Sequence, residues 1–95
     1  MITDSPPLFP LGMILATPGA LAALRSAQQD AFEFLHRHAY GDWGEVSSAD
    51  RDLNDQALES GERLLSAYQT RTSDRIWIIT EADRSATTLL LPEEY

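Results

Sequence analysis

The chain has 95 residues, a net charge of −8 at neutral pH and no cysteine. Its length suits one domain with one hydrophobic core, and its 43% apolar content is too high for a disordered chain. No apolar run approaches the roughly 20 residues that span a bilayer, and the acidic, proline-containing start over residues 1–7 lacks the basic region of a signal peptide. The absence of cysteine excludes disulfides and fits a reducing compartment. We therefore expect one cytoplasmic domain over residues 1–95.

The acidic charge is concentrated in the middle of the chain. Fifteen acids oppose seven bases, all of them arginine, and residues 42–62 hold seven of the acids against one arginine, a net −6. An acidic surface repels both the nucleic-acid backbone and anionic membranes. The charge therefore predicts a basic protein partner, with no direct nucleic-acid binding and no membrane binding.

The first third of the chain predicts an arm, a short extended segment and a helix. Residues 1–10 hold three of the five prolines and are expected to be irregular. The apolar run Leu11–Ala16 predicts a strand or a buried extended segment. Thr17 and Pro18 have the pattern of an N-cap followed by proline at the first helical position, so we expect a helix to about Arg25.

The next two helices are predicted from their apolar faces and end signals. A helix over about 29–39 would end at Gly41 in a left-handed cap. A third helix over about 49–60 would begin at Ser47 or Ser48. The apolar arc of the second helix contains Ala31, Phe32, Phe34, Leu35, His38 and Ala39. The third helix has an apolar stripe of Leu53, Ala57 and Leu58, with Asp52, Asp55 and Glu59 on the opposite face.

The last third of the chain predicts strands. Residues 63–70, 75–81 and 86–91 are β-rich and are separated by short turns, which indicates an antiparallel meander. The predicted fold is therefore α+β, with two to three N-terminal helices packed on a C-terminal three-stranded antiparallel meander, to which the N-terminal segment could add an edge strand. The run Ile76–Ile79 is apolar on both faces and needs cover on both. Either the N-terminal segment or a second subunit would cover the face that the helices leave free, so a homodimer is an alternative.

The two histidines do not predict a metal site. Residues two apart on a helix point about 200° from each other, so His36 and His38 cannot share one ion. His38 falls in the apolar arc and is expected to be a hydrogen-bonded core residue, whereas His36 is expected to be solvated. A metal would need carboxylates from Asp42 or Glu45, and we predict no metal and no cofactor.

No catalytic motif is recognisable. Glu81, Asp83 and Arg84 fall at a strand-to-strand turn, where a local ion pair is the simplest interpretation and acid–base chemistry would need a pocket and a nucleophile. The nearby hydroxyl residues have no histidine at a recognisable spacing, and no nucleophile elbow is present. We therefore predict no catalytic residues and a protein that is not an enzyme.

The acidic middle of the chain is the predicted binding site. The turn at Gly41-Asp42-Trp43-Gly44 leaves two alternatives for the tryptophan, which either packs across the core or forms an exposed anchor of the kind that dominates interfaces. The face of the third helix has the charge sign that a basic groove requires. The predicted partner-binding residues are Asp42, Trp43, Glu45, Asp52, Asp55 and Glu59.

Three segments, at Thr17–Ala20, Gly41–Gly44 and Ile76–Tyr95, together resemble a family of short bacterial proteins labelled plasmid-related, which accompany mobile genetic elements. The resemblance is carried by Gly41–Gly44, the tail Ile76–Thr88 with Leu89–Tyr95, and the start Thr17–Ala20, and it covers roughly residues 11–95. It implies a genomic context of plasmids and integrative elements, in which small accessory proteins often counter host defences or regulate transfer. We therefore predict a non-catalytic protein-binding accessory factor of a mobile element that inhibits a host nucleic-acid-handling defence complex. The alternative is a structural homodimer or assembly subunit.

Overall fold

Three helices pack against one face of a four-stranded sheet in the computed structural model, which describes residues 5–95. The α+β class and the order of helices before strands are confirmed. Residues 5–10 lie outside helices and strands as expected, and the rest of the predicted arm lies outside the described residues. In chain order the elements are β1 (Met13–Ala16), α1 (Pro18–Ala27), α2 (Ala31–Ala39), α3 (Ser48–Ser60), β2 (Leu64–Gln69), β3 (Arg75–Thr80), β4 (Ala86–Leu90) and a 3-10 turn (Pro92–Glu94).

The predicted three-stranded antiparallel meander is present as β2, β3 and β4, but a sheet of only three antiparallel strands is wrong, because β1 joins as a fourth strand at the edge that the N-terminal segment could take. The strand order is β1-β4-β3-β2, and β1 runs parallel to β4, with Met13 opposite Ala86 and Ala16 opposite Leu89. The remaining pairs are antiparallel, as the meander predicts. A parallel pair needs a long crossover, which here contains all three helices. A pairing across about 70 residues leaves no local pattern in the sequence.

Most helix ends lie at the predicted signals, but α1 continues past the predicted Arg25 to Ala27, and α2 begins at Ala31 behind an Asp30 cap that was not predicted. The Thr17 hydroxyl accepts the Ala20 amide N–H at 3.1 Å, and the Ser47 hydroxyl accepts the Asp50 amide N–H at 3.1 Å. Each bond satisfies one of the amides that a first helical turn leaves without a partner. Gly41 follows α2 with a φ of +85°, the left-handed conformation expected there.

The side chains between the helices and the sheet form the hydrophobic core. Successive side chains along a strand point to opposite faces of the sheet, so one face of β2, β3 and β4 points toward the helices. Its main cluster is Ala20, Ala23, Leu24, Phe34, Leu35, Tyr68, Ile76, Ile78 and Leu89. A smaller cluster beside it contains Phe9, Trp43, Ala57 and Leu64 and joins α3 and the N-terminal arm to the same core.

The second face of the sheet carries no helix. The ring of Tyr95 packs edge-on against Trp77, with centroids 5.7 Å apart, and Arg63 donates to the Tyr95 hydroxyl at 2.7 Å. The C-terminal residues therefore lie over this face near β3. The N-terminal segment, expected to provide cover, lies instead at the sheet edge, where Met13 and Leu15 remain 66% and 45% exposed. Within residues 5–95, no helix is long and apolar enough to cross a membrane.

Candidate functional site

The exposed face of α3 carries a row of acids that we call the acidic ridge: Asp52, Asp55 and Glu59. At 100° per residue these three side chains fall within about 60° of one another. They lie opposite Asn54 and Ala57, which are buried against the rest of the domain. The ridge therefore points directly into solvent.

Asn54 fixes the orientation of the ridge. Its side-chain amide donates to the Leu65 carbonyl at 2.7 Å, and its side-chain oxygen accepts the Leu65 amide N–H at 3.1 Å. The two bonds attach α3 to the edge of β2. The sequence predicts Leu53 in the buried stripe of this helix, and that prediction is wrong because Leu53 is 60% exposed. A polar residue occupies the buried position because it satisfies the backbone of an edge strand, which hydrophobic periodicity does not reveal.

Trp43 lies beneath the ridge and not on the surface. It is 3% exposed, its ring stacks on Phe9 with centroids 6.2 Å apart, and it meets His38 edge-on at 5.6 Å. Its indole N–H donates to Asp55 at 3.1 Å. The prediction that Trp43 packs in the core is therefore confirmed. Because it is buried, Trp43 does not form the exposed anchor that was the alternative.

Asp42 and Glu45 already have partners within the chain. Asp42 accepts two hydrogen bonds from Arg37, at 2.7 and 3.3 Å, and one from the Gly44 amide at 3.2 Å. The Arg37 hydrogen bond is the main cause that lowers the pKa of Asp42, and the same bond raises the pKa of Arg37. Glu45 lies 3.5 Å from Arg75. Both acids thus stabilise local structure.

Asp52 and Glu59 keep their carboxylates available. Within the part of the chain that the structure describes, no arginine lies within 4.0 Å of either group. Asp55 uses one oxygen for Trp43. Of the six residues predicted to bind a partner, the structure therefore brings Asp52, Asp55 and Glu59 together on one exposed face and leaves Asp42, Trp43 and Glu45 engaged elsewhere.

His38 is the centre of a buried hydrogen-bond chain. Its Nδ1 lies 2.5 Å from the Ser66 hydroxyl and its Nε2 lies 2.8 Å from the Thr80 hydroxyl. Thr80 lies 2.7 Å from Thr87, whose hydroxyl donates to the Leu11 carbonyl at 2.7 Å. The prediction of a hydrogen-bonded core histidine is confirmed.

The Leu11 carbonyl determines which group donates and which accepts at each step of this hydrogen-bond chain. Because a carbonyl can only accept, Thr87 must donate to it, and Thr80 must then donate to Thr87. The Thr80 oxygen consequently accepts from His38, which places the imidazole proton on Nε2 and makes Nδ1 an acceptor from Ser66. Burial, with a smaller contribution from the charge of Arg84, lowers the pKa of His38 to about 3. The imidazole is therefore neutral at physiological pH.

Arg84 closes the end of α3 and does not form the predicted ion pair within the turn. Its guanidinium donates to the carbonyls of Ala57 at 2.9 Å and Glu62 at 2.7 Å, and it lies 5.6 Å from the centroid of the Phe9 ring. A cation at this position satisfies carbonyls that the last helical turn leaves free and interacts favourably with the helix dipole.

The two acids of the same turn have separate partners. Glu81 pairs with Arg63 at 3.8 Å, and Asp83 accepts the amide N–H of Ser85 at 3.0 Å. Hydrogen bonds from the Ser85 side chain and amide lower the pKa of Asp83. The three residues therefore maintain the turn and the adjoining helix end.

An open apolar cavity of about 280 Å³ lies between α2 and the N-terminal arm. Pro7 and Leu11 line it from the arm, and Phe32, Leu35 and Ala39 line it from α2. The sequence places Phe32 in the buried arc of α2, but it is 63% exposed because the arm leaves this side of the helix open. None of the described residues that line the cavity is an acid or an arginine, and none belongs to α3, so it is separate from the acidic ridge.

The described residues hold no group of three His, Asp or Glu side chains placed to share a metal ion. Searches of family models, of curated proteins and of solved structures found no match to this chain. The resemblance to plasmid-related proteins therefore stays a prediction, and the chemistry of the surface is the remaining indication of function.

Proposed function

We propose that this protein is a non-catalytic binding module whose acidic ridge docks onto a basic protein partner. The observation that carries the proposal is a contrast among four acids: Asp52 and Glu59 point into solvent with no cation of residues 5–95 within 4.0 Å, whereas Asp42 and Glu45 have arginine partners. Unpaired carboxylates on a convex helix face suit a docking surface better than an enclosed reaction site.

The ridge has the length and rigidity of an electrostatic docking element. Asp52 and Glu59 are seven residues apart, which is about 10 Å along the helix axis. The helix is held by the Ser47 cap at one end and by Arg84 at the other, so the carboxylates are presented on a fixed backbone. Interactions of this type accelerate association and weaken as salt is added.

The more specific form of the proposal is a mobile-element accessory factor that inhibits a host nucleic-acid-handling defence complex. It is supported by the resemblance to plasmid-related proteins and by the sign of the ridge, which matches that of the nucleic-acid backbone. In this form the ridge occupies a basic groove that otherwise holds nucleic acid. Occupation of that groove would block the host complex without any catalytic step.

Affinity capture with matched charge variants tests the proposal. The ridge variant carries Asp52→Arg and Glu59→Arg, and the control carries Glu33→Arg and Glu93→Arg, which change the net charge equally at exposed acids outside α3. The tagged proteins are used in host lysate with and without nuclease treatment, at low and high salt, and bound proteins are identified by mass spectrometry.

We expect a basic partner that the wild-type protein and the control retain at low salt and that the ridge variant loses. High salt should release the partner from the wild-type protein and from the control, because screening removes attraction between exposed charges. A partner that remains on the ridge variant would overturn the proposal. A partner that is lost after nuclease treatment would show contact through nucleic acid.

A further inference from the structure

The two edges of the sheet differ in their hydrogen bonding, and the β2 edge is covered. The outward backbone groups of Leu65 bond to the side chain of Asn54. The amide N–H of Ala67 donates to the Trp43 carbonyl at 3.0 Å, and its carbonyl accepts the Glu45 amide N–H at 2.6 Å. An edge whose backbone groups are satisfied in this way cannot pair with another strand.

The β1 edge is open. The amides of Met13 and Thr17 donate to the β4 side at Ser85 and Leu89, so the alternate residue Ile14 directs its N–H and C=O away from the sheet. Among residues 5–95, no group bonds to this outward N–H or C=O. Met13, Ile14 and Leu15 are 66%, 41% and 45% exposed. The strand therefore presents free backbone groups together with apolar side chains on both faces.

We propose that β1 pairs with β1 of a second copy, in an antiparallel two-fold arrangement centred on Ile14, to give one continuous eight-stranded sheet. This inference is independent of the proposed docking through the acidic ridge, which lies beside the opposite edge. A second copy of the chain fits this edge, because two β1 strands can exchange backbone hydrogen bonds, pair their apolar side chains and meet without bringing like charges together.

The hydrogen-bonding pattern determines the register. A two-fold axis at Ile14 lets each Ile14 exchange its N–H and C=O with its counterpart, as a hydrogen-bonded antiparallel pair does. The same register places Met13 of one copy directly opposite Leu15 of the other, on the face that carries no helix. Each exposed apolar side chain of β1 then meets an apolar partner.

The charge distribution permits this contact despite the net charge of −8. Between Asp4 and Arg25 the chain has no charged residue. The acidic ridge lies beside β2, and β2 strands in the two copies would be seven strand spacings apart, or about 34 Å. That distance is several times the screening length of roughly 8 Å at physiological salt. Because β1 has only four residues, the interface is small and we expect a dimer of micromolar affinity.

Single-cysteine variants test both the dimer and its register, because the chain has no native cysteine. In the proposed register the two Ile14 Cα atoms lie about 5.5 Å apart, within disulfide range. The two Met13 Cα atoms lie on a diagonal about 7–8 Å apart, which a disulfide does not span without backbone movement. Mild oxidation should therefore cross-link Ile14→Cys rapidly and Met13→Cys slowly, with the exposed Leu53→Cys on α3 as the control.

Sedimentation velocity over a range of micromolar concentrations supplies the second measurement. The variant Met13→Lys with Leu15→Lys should weaken the dimer about tenfold or more, whereas Leu53→Lys should leave it unchanged. Circular dichroism checks that each variant is folded. A wild-type protein that stays monomeric throughout, or Ile14→Cys that cross-links no faster than Leu53→Cys, would overturn the proposal. Dimers that resist the β1 lysines would assign the contact to another surface.

Discussion

The indole N–H of Trp43 donates to the Asp55 carboxylate at 3.1 Å and thereby joins the hydrophobic core to the acidic ridge. Trp43 lies in the loop between α2 and α3, and Asp55 lies in the middle of α3. One oxygen of Asp55 is used for the fold, and the carboxylates of Asp52 and Glu59 have no such role. Mutation can therefore separate the contribution of Asp55 to packing from the exposed carboxylates of Asp52 and Glu59.

Asp55→Ala should destabilise the protein more than Asp52→Ala. Loss of the Asp55 acceptor leaves the buried indole N–H without a partner, at a cost of about 1–3 kcal/mol. Asp52 has no such contact, and its replacement should change the free energy of unfolding by less than about 0.5 kcal/mol. Urea unfolding measures both variants. Equal effects would mean that the Trp43–Asp55 hydrogen bond contributes nothing to stability.

The stability of the protein should fall between pH 6.5 and pH 5 because of His38. The pKa of His38 is about 3 in the folded protein, compared with 6.5 for an ordinary histidine. As the pH drops below 6.5 the unfolded chain therefore binds a proton that the folded protein excludes. The linkage amounts to about 2 kcal/mol of lost stability at pH 5.

Two histidine variants assign this pH dependence. His38→Gln removes the titrating group and should flatten the unfolding free energy between pH 6.5 and pH 5, although the variant is less stable at every pH. His36→Gln is the matched control, because it replaces an exposed histidine of the same helix and leaves the buried hydrogen-bond chain intact. Denaturant unfolding at a series of pH values measures the slope, and a wild-type slope in His38→Gln would show that other groups cause it.

Gly44→Ala should cost more stability than Gly61→Ala, although both glycines have a φ of +76°. An added Cβ at Gly44 would clash with the Ala67 carbonyl oxygen, whereas no atom lies within 4 Å of the Cβ position at Gly61. We expect about 1–2 kcal/mol at Gly61 from backbone strain alone and a greater loss at Gly44. Thermal and urea unfolding compare the two, and equal losses would mean that the loop moves away from β2 at little cost.

Helix boundaries and the buried histidine could be predicted because their signals are local. The Thr17 cap, the left-handed Gly41 and the position of His38 on the apolar arc depend on residues a few positions apart. The same reasoning fails for Leu53 and Phe32, which are more than half exposed. Their exposure depends on which side of a helix another segment leaves open, and periodicity alone carries no such information.

The sequence alone determined the α+β class, the helix ends marked by Thr17, Gly41 and Ser47, the three antiparallel strands and the acidic character of α3. These follow from side-chain periodicity, capping chemistry and charge, all of which act over short distances. Only the tertiary structure decided that β1 joins β4 in parallel, that Trp43 is buried against Asp55, and that no arginine in the described part of the chain pairs with Asp52 or Glu59. Each of these depends on where other segments of the chain lie, and those positions are set only once the domain has folded.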